Sequence, residues 1–233
     1  MGKMKLGYWD IRGRVEAIRY ALEYAGAEYE EKLYTMGADP PHDRKEWILD
    51  KEVLRKQGLI FSNLPYLFDG NVKMTESMAI LKYVCSKYGM MPKDDDQSRA
   101  TAYNLEGVMI GFTNTFYGEF FVPPEQYEEA LKTFREKTFP EFVGGAIKIM
   151  GDKKWLLSNE ITYLDFQFYS LLKKICCLNE NCLQPFPRLK KYVGDFEAIP
   201  SIKKYLASGR FRKYPITAPV ARWGSREECR SRK

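Results

Sequence analysis

Histidine is nearly absent from this chain of 233 residues, His42 being the one it has. Zinc sites rich in His, and Ser-His or Cys-His catalysis that turns on an imidazole, are poorly supplied, and no metal site is expected. Cysteine is sparse. Cys85, Cys176, Cys177, Cys182 and Cys229 form an odd set with no CxxC pair and no disulfide framework. No stretch nears the roughly 18 apolar residues that a membrane-spanning helix needs. Lys3 and Lys5 are followed only by Leu6-Gly7-Tyr8-Trp9 before Asp10, too short for the apolar core of a secretory signal. Reduced thiols in the cytoplasm, with no membrane partner, are the expectation. The net charge is a mild +6, with Arg222, Arg226, Arg230, Arg232 and Lys233 in a tail that reads as solvated and frayed. No basic stripe interleaved with aromatics is present, so no nucleic-acid partner is expected.

What is present is globular. Hydrophobic residues make up 45% and charged residues 29%, near the averages for folded soluble domains, and the length suits one large domain or two small ones. Met4 to Trp9 reads as a strand and Asp10-Ile11-Arg12-Gly13 as a turn. Val15, Ile18, Leu22 and Ala25 then recur at helical spacing up to Gly26. Tyr29 to Tyr34 is a second strand, followed by a Gly/Pro loop and a short charged helix around Asp43 to Arg55. Tyr66-Leu67-Phe68 and Val72-Lys73-Met74 flank the turn Asp69-Gly70-Asn71, a hairpin signature. Glu76 to Tyr88 returns to helical spacing. The order β-α-β-α-β-β-α predicts a small mixed sheet with packed helices over 1–88. Residues 89–96 read as a linker and 97–233 as an all-helical domain, with helices near 98–118, 124–149, 162–178, 187–196 and 199–207. Thr162 and Asp165 are spaced as a capping box, with Ile161 as its staple residue.

Several residues could carry chemistry. Tyr8 closes the first strand, and ligands of α/β sheets bind at the carboxyl ends of strands. Its hydroxyl could donate to an anionic nucleophile, ionise if its pKa fell below the usual value of about 10, or simply pack. A cis Leu64–Pro65 bond would present the Leu64 backbone to a peptide-like ligand in the manner of an added strand. Thr75-Glu76-Ser77 starts a helix whose free amides suit a carboxylate, or forms a plain cap. Trp47 and Lys51 share a helix face, as a second anion site or a surface pair. Taken together, these features match a small thiol peptide with a carboxylate at each end.

At these residues the sequence resembles the cytosolic glutathione S-transferases, most closely the mu class. The likeness rests on Leu6-Gly7-Tyr8-Trp9-Asp10-Ile11-Arg12-Gly13, Tyr34-Thr35-Met36-Gly37, Asp43-Arg44, Trp47 and Asn63-Leu64-Pro65-Tyr66. It continues through Ile161 to Phe166, Phe196 to Pro200 and Trp223-Gly224, essentially the whole chain. The resemblance implies a thioredoxin-like N-terminal domain, an all-helical C-terminal domain and a homodimer. It implies that glutathione is conjugated to hydrophobic electrophiles, with glutathione as co-substrate and no other cofactor. Tyr8 would stabilise the thiolate. Trp9, Trp47, Lys51 and Asn63 would surround the glycyl carboxylate. Leu64, beside cis Pro65, would pair with the cysteinyl part, and Glu76 and Ser77 would hold the γ-glutamyl end. Arg14, with Tyr117 or its neighbour Phe116 across from it, would contact the electrophile, and Phe61 would be the aromatic key that enters the partner subunit. Rival readings on the same fold are a weakly catalytic ligand-binding protein and a crystallin-like structural one. The chain departs from the mu pattern at Glu76, where Gln is usual, and at Arg14, where an apolar residue is usual. The segment from Trp47 to Asn63 is about three residues longer than usual. The acid that mu enzymes lend to the partner's γ-glutamyl site is missing from Val108-Met109-Ile110-Gly111-Phe112.

Overall fold

A computed structural model describes residues 3–225; Cys229 and the basic residues Arg226, Arg230, Arg232 and Lys233 lie outside the described residues. The described chain forms two compact units. One runs through Tyr88 and takes in the chain from Ile199 onward; the other is Gly89–Ala198.

In the first unit, β1 (Met4–Trp9), α1 (Glu16–Tyr24) and β2 (Tyr29–Tyr34) make a parallel βαβ crossover. After α2 (Lys45–Lys56), β3 (Tyr66–Asp69) and β4 (Val72–Thr75) form a hairpin, and α3 (Ser77–Lys87) follows. The sheet order is β2-β1-β3-β4, with β1–β2 parallel and the other pairs antiparallel. Gly7 pairs with Tyr66 in the β1–β3 register, and the Tyr66 ring lies over it: a Cβ at Gly7 would fall 2.1 Å from ring carbons. By strand alternation Gly7 and Tyr66 share one sheet face, Leu6, Tyr8 and Leu67 the other. The Tyr66 side carries an aromatic cluster of Tyr34, Trp47, Leu54, Leu59 and Tyr66, with Trp9, Leu64 and Phe68 against it.

Helix α1 is buried from Glu16 to Leu22, charged residues included. The cause is α9 (Pro200–Leu206), which packs on α1 along with α3. Arg19 donates to Glu16 at 2.9 Å, to Glu31 at 2.7 Å and to the Ile11 carbonyl at 3.0 Å, while the Tyr205 hydroxyl donates to Glu16 at 3.1 Å. A buried guanidinium is tolerated only when carboxylates and carbonyls replace its water. The sequence pattern assigns α9 to the helical stretch 97–233; Tyr205 and this charge cluster instead join it to the first unit.

The second unit holds α4 (Asp96–Gly118), α5 (Tyr127–Thr133), α6 (Phe139–Met150), α7 (Tyr163–Leu178) and α8 (Pro187–Glu197). Asp95 caps α4 by accepting the Ser98 N–H at 2.8 Å. The sequence pattern reads 124–149 as one helix. It is broken into a 3₁₀ turn at Pro124–Gln126, α5, a π turn at Phe134–Thr138, and α6. Pro140, which lacks an N–H and crowds the preceding turn, lies just past the π turn, where the wider i→i+5 spacing gives it room. The core is aromatic: Phe112 stacks on Phe142 at 3.8 Å, and Phe116 meets Phe120 and Phe134 at 5.1 and 5.6 Å. The capping box at Thr162 and Asp165 forms. Asp165 is fully buried and also accepts from the Leu156 N–H at 2.9 Å and the Tyr192 hydroxyl at 3.1 Å.

Candidate active site

Tyr8 is the penultimate residue of β1, with its ring buried. The backbone N–H of Arg14 donates to the Tyr8 phenol oxygen at 3.0 Å. The loop between them is held at several points. Asp10 N–H donates to the Tyr34 carbonyl at 2.9 Å, Arg12 N–H to Pro215 at 2.8 Å and Gly13 N–H to Ile216 at 2.9 Å. Gly13 has φ +43°, and a Cβ there would lie 2.5 Å from a Tyr8 ring carbon and 2.6 Å from its oxygen. Only glycine allows both that φ and that approach. Burial pushes the Tyr8 phenol above its usual pKa; the Arg14 amide and the charges of Arg14 and Arg19 pull the other way and lose. The hydroxyl therefore keeps its proton at neutral pH, with one lone pair engaged by the Arg14 amide and the O–H available to donate.

Trp9, Tyr34 and Trp47 pack edge to face, with centroids 5.3–6.4 Å apart. Trp47 is buried in this cluster, so the surface-pair reading of Trp47 and Lys51 fails: the indole faces inward. Lys51 lies one turn further along α2, half-buried, and its carbonyl accepts the Ser62 hydroxyl at 3.0 Å. That bond fastens α2 to the segment carrying Phe61, Asn63 and Leu64. The Leu64–Pro65 bond is cis, and Leu64 packs on the aromatic cluster. Asn63 is exposed.

The register Tyr66↔Thr75 carries the start of α3 next to this segment. Glu76 stands at the helix's N-cap with φ +70°, is exposed, and makes no side-chain cap bond. Left-handed φ is uncommon outside glycine and tends to mark functional positions. Ser77 opens the helix, with the unpaired amides of its first turn around it. The fold thus gathers Trp9, Trp47, Leu64 and Pro65 around one aromatic cluster and sets Glu76 and Ser77 beside them.

The remaining candidates are Arg14, Phe61, Phe116 and Tyr117. Arg14 is half-buried on the loop above Tyr8. Phe61 and Ile60 are 82% and 79% exposed. In the second unit, Phe116 is fully buried in the aromatic core and Tyr117 is half-buried. Sequence reasoning missed two supports. One is the backbone pairing of Arg12 and Gly13 with Pro215 and Ile216, which lies some 200 residues away and has no local signal. The other is Tyr34, whose hydroxyl donates to Asp50 at 3.0 Å and sits 3.2 Å from that of Tyr66. A mainly apolar cavity of about 230 Å³, lined in part by Trp9, Ile11, Met36, Pro215 and Pro219, opens beside the same loop.

A four-stranded thioredoxin-like sheet, a helical unit and a buried tyrosine near the first strand's end, its phenol oxygen held by a backbone N–H, define a recognisable class. The family model described as "Glutathione S-transferase, N-terminal domain" matches residues 4–86, and "Glutathione S-transferase, C-terminal domain" matches residues 112–209. The chain belongs to the glutathione S-transferase family. It is 37% identical over 223 residues to Glutathione S-transferase Mu 4 of Mus musculus, covering 96% of this chain and 99% of that one. To Glutathione S-transferase Mu 2 of Rattus norvegicus it is 38% identical over 228 residues, covering 94% and 98%. The crystal structure of the glutathione S-transferase Blo t 8 superposes with a TM-score of 0.84 at 32% identity, covering 94% of this chain and 99% of that one. The Mus musculus and Rattus norvegicus relatives are mu-class enzymes by name, in keeping with the resemblance read from the sequence.

Proposed function

We propose that the protein transfers the thiolate of glutathione to hydrophobic electrophiles, in a detoxifying role. The observation that carries this reading is Tyr8: a buried, protonated phenol whose oxygen is fixed by the Arg14 amide. A free thiol with pKa near 8.5 is only a few per cent thiolate at pH 7. Lowering that value by about two units makes it mostly thiolate, and each unit corresponds to about 1.36 kcal/mol. A neutral donor aimed at sulfur in a water-poor site supplies an effect of that order. The thiolate attacks an electrophilic carbon, a C–S bond forms, and the leaving group departs with its electron pair.

The same reading assigns the ends of glutathione. The glycyl carboxylate meets Trp9, Trp47, Lys51 and Asn63, the cysteinyl backbone pairs with Leu64 beside Pro65, and the γ-glutamyl end meets Glu76 and Ser77. Glutathione is a co-substrate, and no further cofactor is invoked. On the family pattern Arg14 and Tyr117 contact the electrophile, whereas the burial of Phe116 assigns it to the core of its own unit. The exposure of Phe61 and Ile60 supports a homodimer with Phe61 as the key. The described cysteines Cys85, Cys176, Cys177 and Cys182 are thiols, which supports a reducing cytoplasm.

The ligand-binding and crystallin-like readings need no thiolate donor, and the held Tyr8 hydroxyl favours the enzyme over both. Retention on immobilised glutathione tests the thiol-peptide site. Turnover of a chlorinated nitrobenzene by the same preparation tests the reaction. Retention without turnover would leave a binding protein.

A further inference from the structure

Outside the glutathione site, two thiols come within bonding reach. Cys176 sits in the last turn of α7 and is half-buried; Cys182 is buried. The helix stops at Asn179, and the chain turns back as the Cys182 N–H donates to the Asn179 carbonyl at 3.0 Å. That turn sets the two Sγ atoms 3.4 Å apart. A disulfide needs about 2.05 Å, so the sulfurs must close by about 1.35 Å. Cys182 also lines a mainly apolar cavity of about 350 Å³ bounded in part by Phe134, Phe139, Leu178 and Phe186. This empty space on one side of Cys182 leaves it room to shift.

We propose that Cys176 and Cys182 form a reversible dithiol–disulfide site, with a small disulfide such as glutathione disulfide as the oxidant. The site is independent of the one at Tyr8. The two thiols have different tasks. Either sulfur can donate across the 3.4 Å contact; the bond to Cys182 and the charge of Lys173 lower the Cys176 thiol against its partial burial, and the bond to Cys176 together with burial raises Cys182. Cys176, the more accessible of the two, is the attacking thiolate, and the buried Cys182 is the resolving thiol. The Cys176 thiolate attacks one sulfur of glutathione disulfide, the S–S bond breaks, and one glutathione thiolate leaves. Cys182 then gives its proton to solvent, attacks the Cys176 sulfur and expels the second glutathione thiolate. Two protein thiols and one glutathione disulfide yield one protein disulfide and two glutathiones. The new bond joins the end of α7 to the turn that follows it.

The test uses the full chain with Cys229→Ser, so that the cysteine outside the described residues cannot react. The reduced protein is incubated with glutathione disulfide, and its intact mass and fragmented tryptic peptides are recorded. The expected product has lost two hydrogens, joins Cys176 to Cys182 and keeps no glutathione on either; a reductant reverses it. Cys182→Ser should trap one glutathione on Cys176. Cys177→Ser should behave as its parent, which separates the neighbouring thiol. A parent that stays reduced or keeps glutathione on Cys176 overturns the proposal. So does a Cys182→Ser variant that takes none, or a Cys177→Ser variant that loses the disulfide.

Discussion

The phenol oxygen of Tyr8 accepts the backbone N–H of Arg14 across six residues of chain, at 3.0 Å. The bond fixes the ring of the one residue on which the proposed chemistry turns, and it involves the Arg14 backbone, not its side chain. The unusual side chain at position 14 can therefore change while the hydroxyl stays in place.

Gly13 makes that bond possible. A methyl group there would meet the buried Tyr8 ring at 2.5 Å and would sit at positive φ. Gly26 also has positive φ, with nothing near its missing Cβ. Gly26→Ala should cost about 1 kcal/mol of stability. Gly13→Ala should cost more, and should also lower kcat by at least about tenfold through the misplaced hydroxyl. Urea unfolding and steady-state rates on both variants check this; equal effects would show that the Tyr8 contact does not matter.

Phe61 as an intersubunit key predicts a particle of about twice 27.2 kDa. An aromatic side chain inserted in a partner's pocket is a typical interface anchor. Phe61→Ala should shift the sedimenting species toward monomer at micromolar concentration. A wild-type chain that already sediments as a monomer would contradict the assignment.

Glu76 makes no cap bond to its helix, which leaves its carboxylate available to a ligand. The γ-glutamyl ammonium needs a counter-charge where it is partly buried, and the usual acid near Met109 is missing. If Glu76 pairs that ammonium within one subunit, Glu76→Gln should weaken glutathione binding by about 1.5–3 kcal/mol. Glutathione lacking the amino group should bind both proteins alike. Titration calorimetry decides, and equal affinity for intact glutathione would refute the pairing.

Much of this was legible locally. The hairpin at Asp69-Gly70-Asn71, the capping box at Thr162, and Tyr8 at a strand end follow from turn chemistry, spacing and alternation, which act over a few residues. What was hidden depends on contacts between distant segments. Tyr205 reaches Glu16 across 189 residues and draws α9 into the first unit. The burial of Trp47 depends on Tyr34 and Trp9 arriving from two strands. The π turn before Pro140 answers to local crowding, yet the apolar periodicity of 124–149 runs straight across it.

Asp165 offers a test of the second unit. Burial pushes its carboxyl up to about 6, despite the donors from Leu156, Thr162 and Tyr192. The unfolded value is about 3.9, so between these values the folded state binds the proton more tightly. Its stabilising contribution is full below about pH 4 and is lost as pH rises through about 6. Asp165→Asn removes this titration. The change in unfolding free energy between about pH 4.5 and 7 should shrink in the variant by comparison with wild type. An identical pH dependence in both proteins would show that Asp165 is already ionised throughout.

The most direct test follows the thiolate itself. Ultraviolet absorbance of the bound thiolate, titrated against pH in the glutathione complex, reads the pKa that Tyr8 is held to control. Wild type should titrate about two units below the free thiol's value near 8.5. Tyr8→Phe should bind glutathione with nearly unchanged affinity and titrate close to the free value. Its kcat should fall by roughly 10- to 1000-fold, the scale of one lost transition-state donor. Coincident titrations for wild type and Tyr8→Phe would contradict the account at its centre.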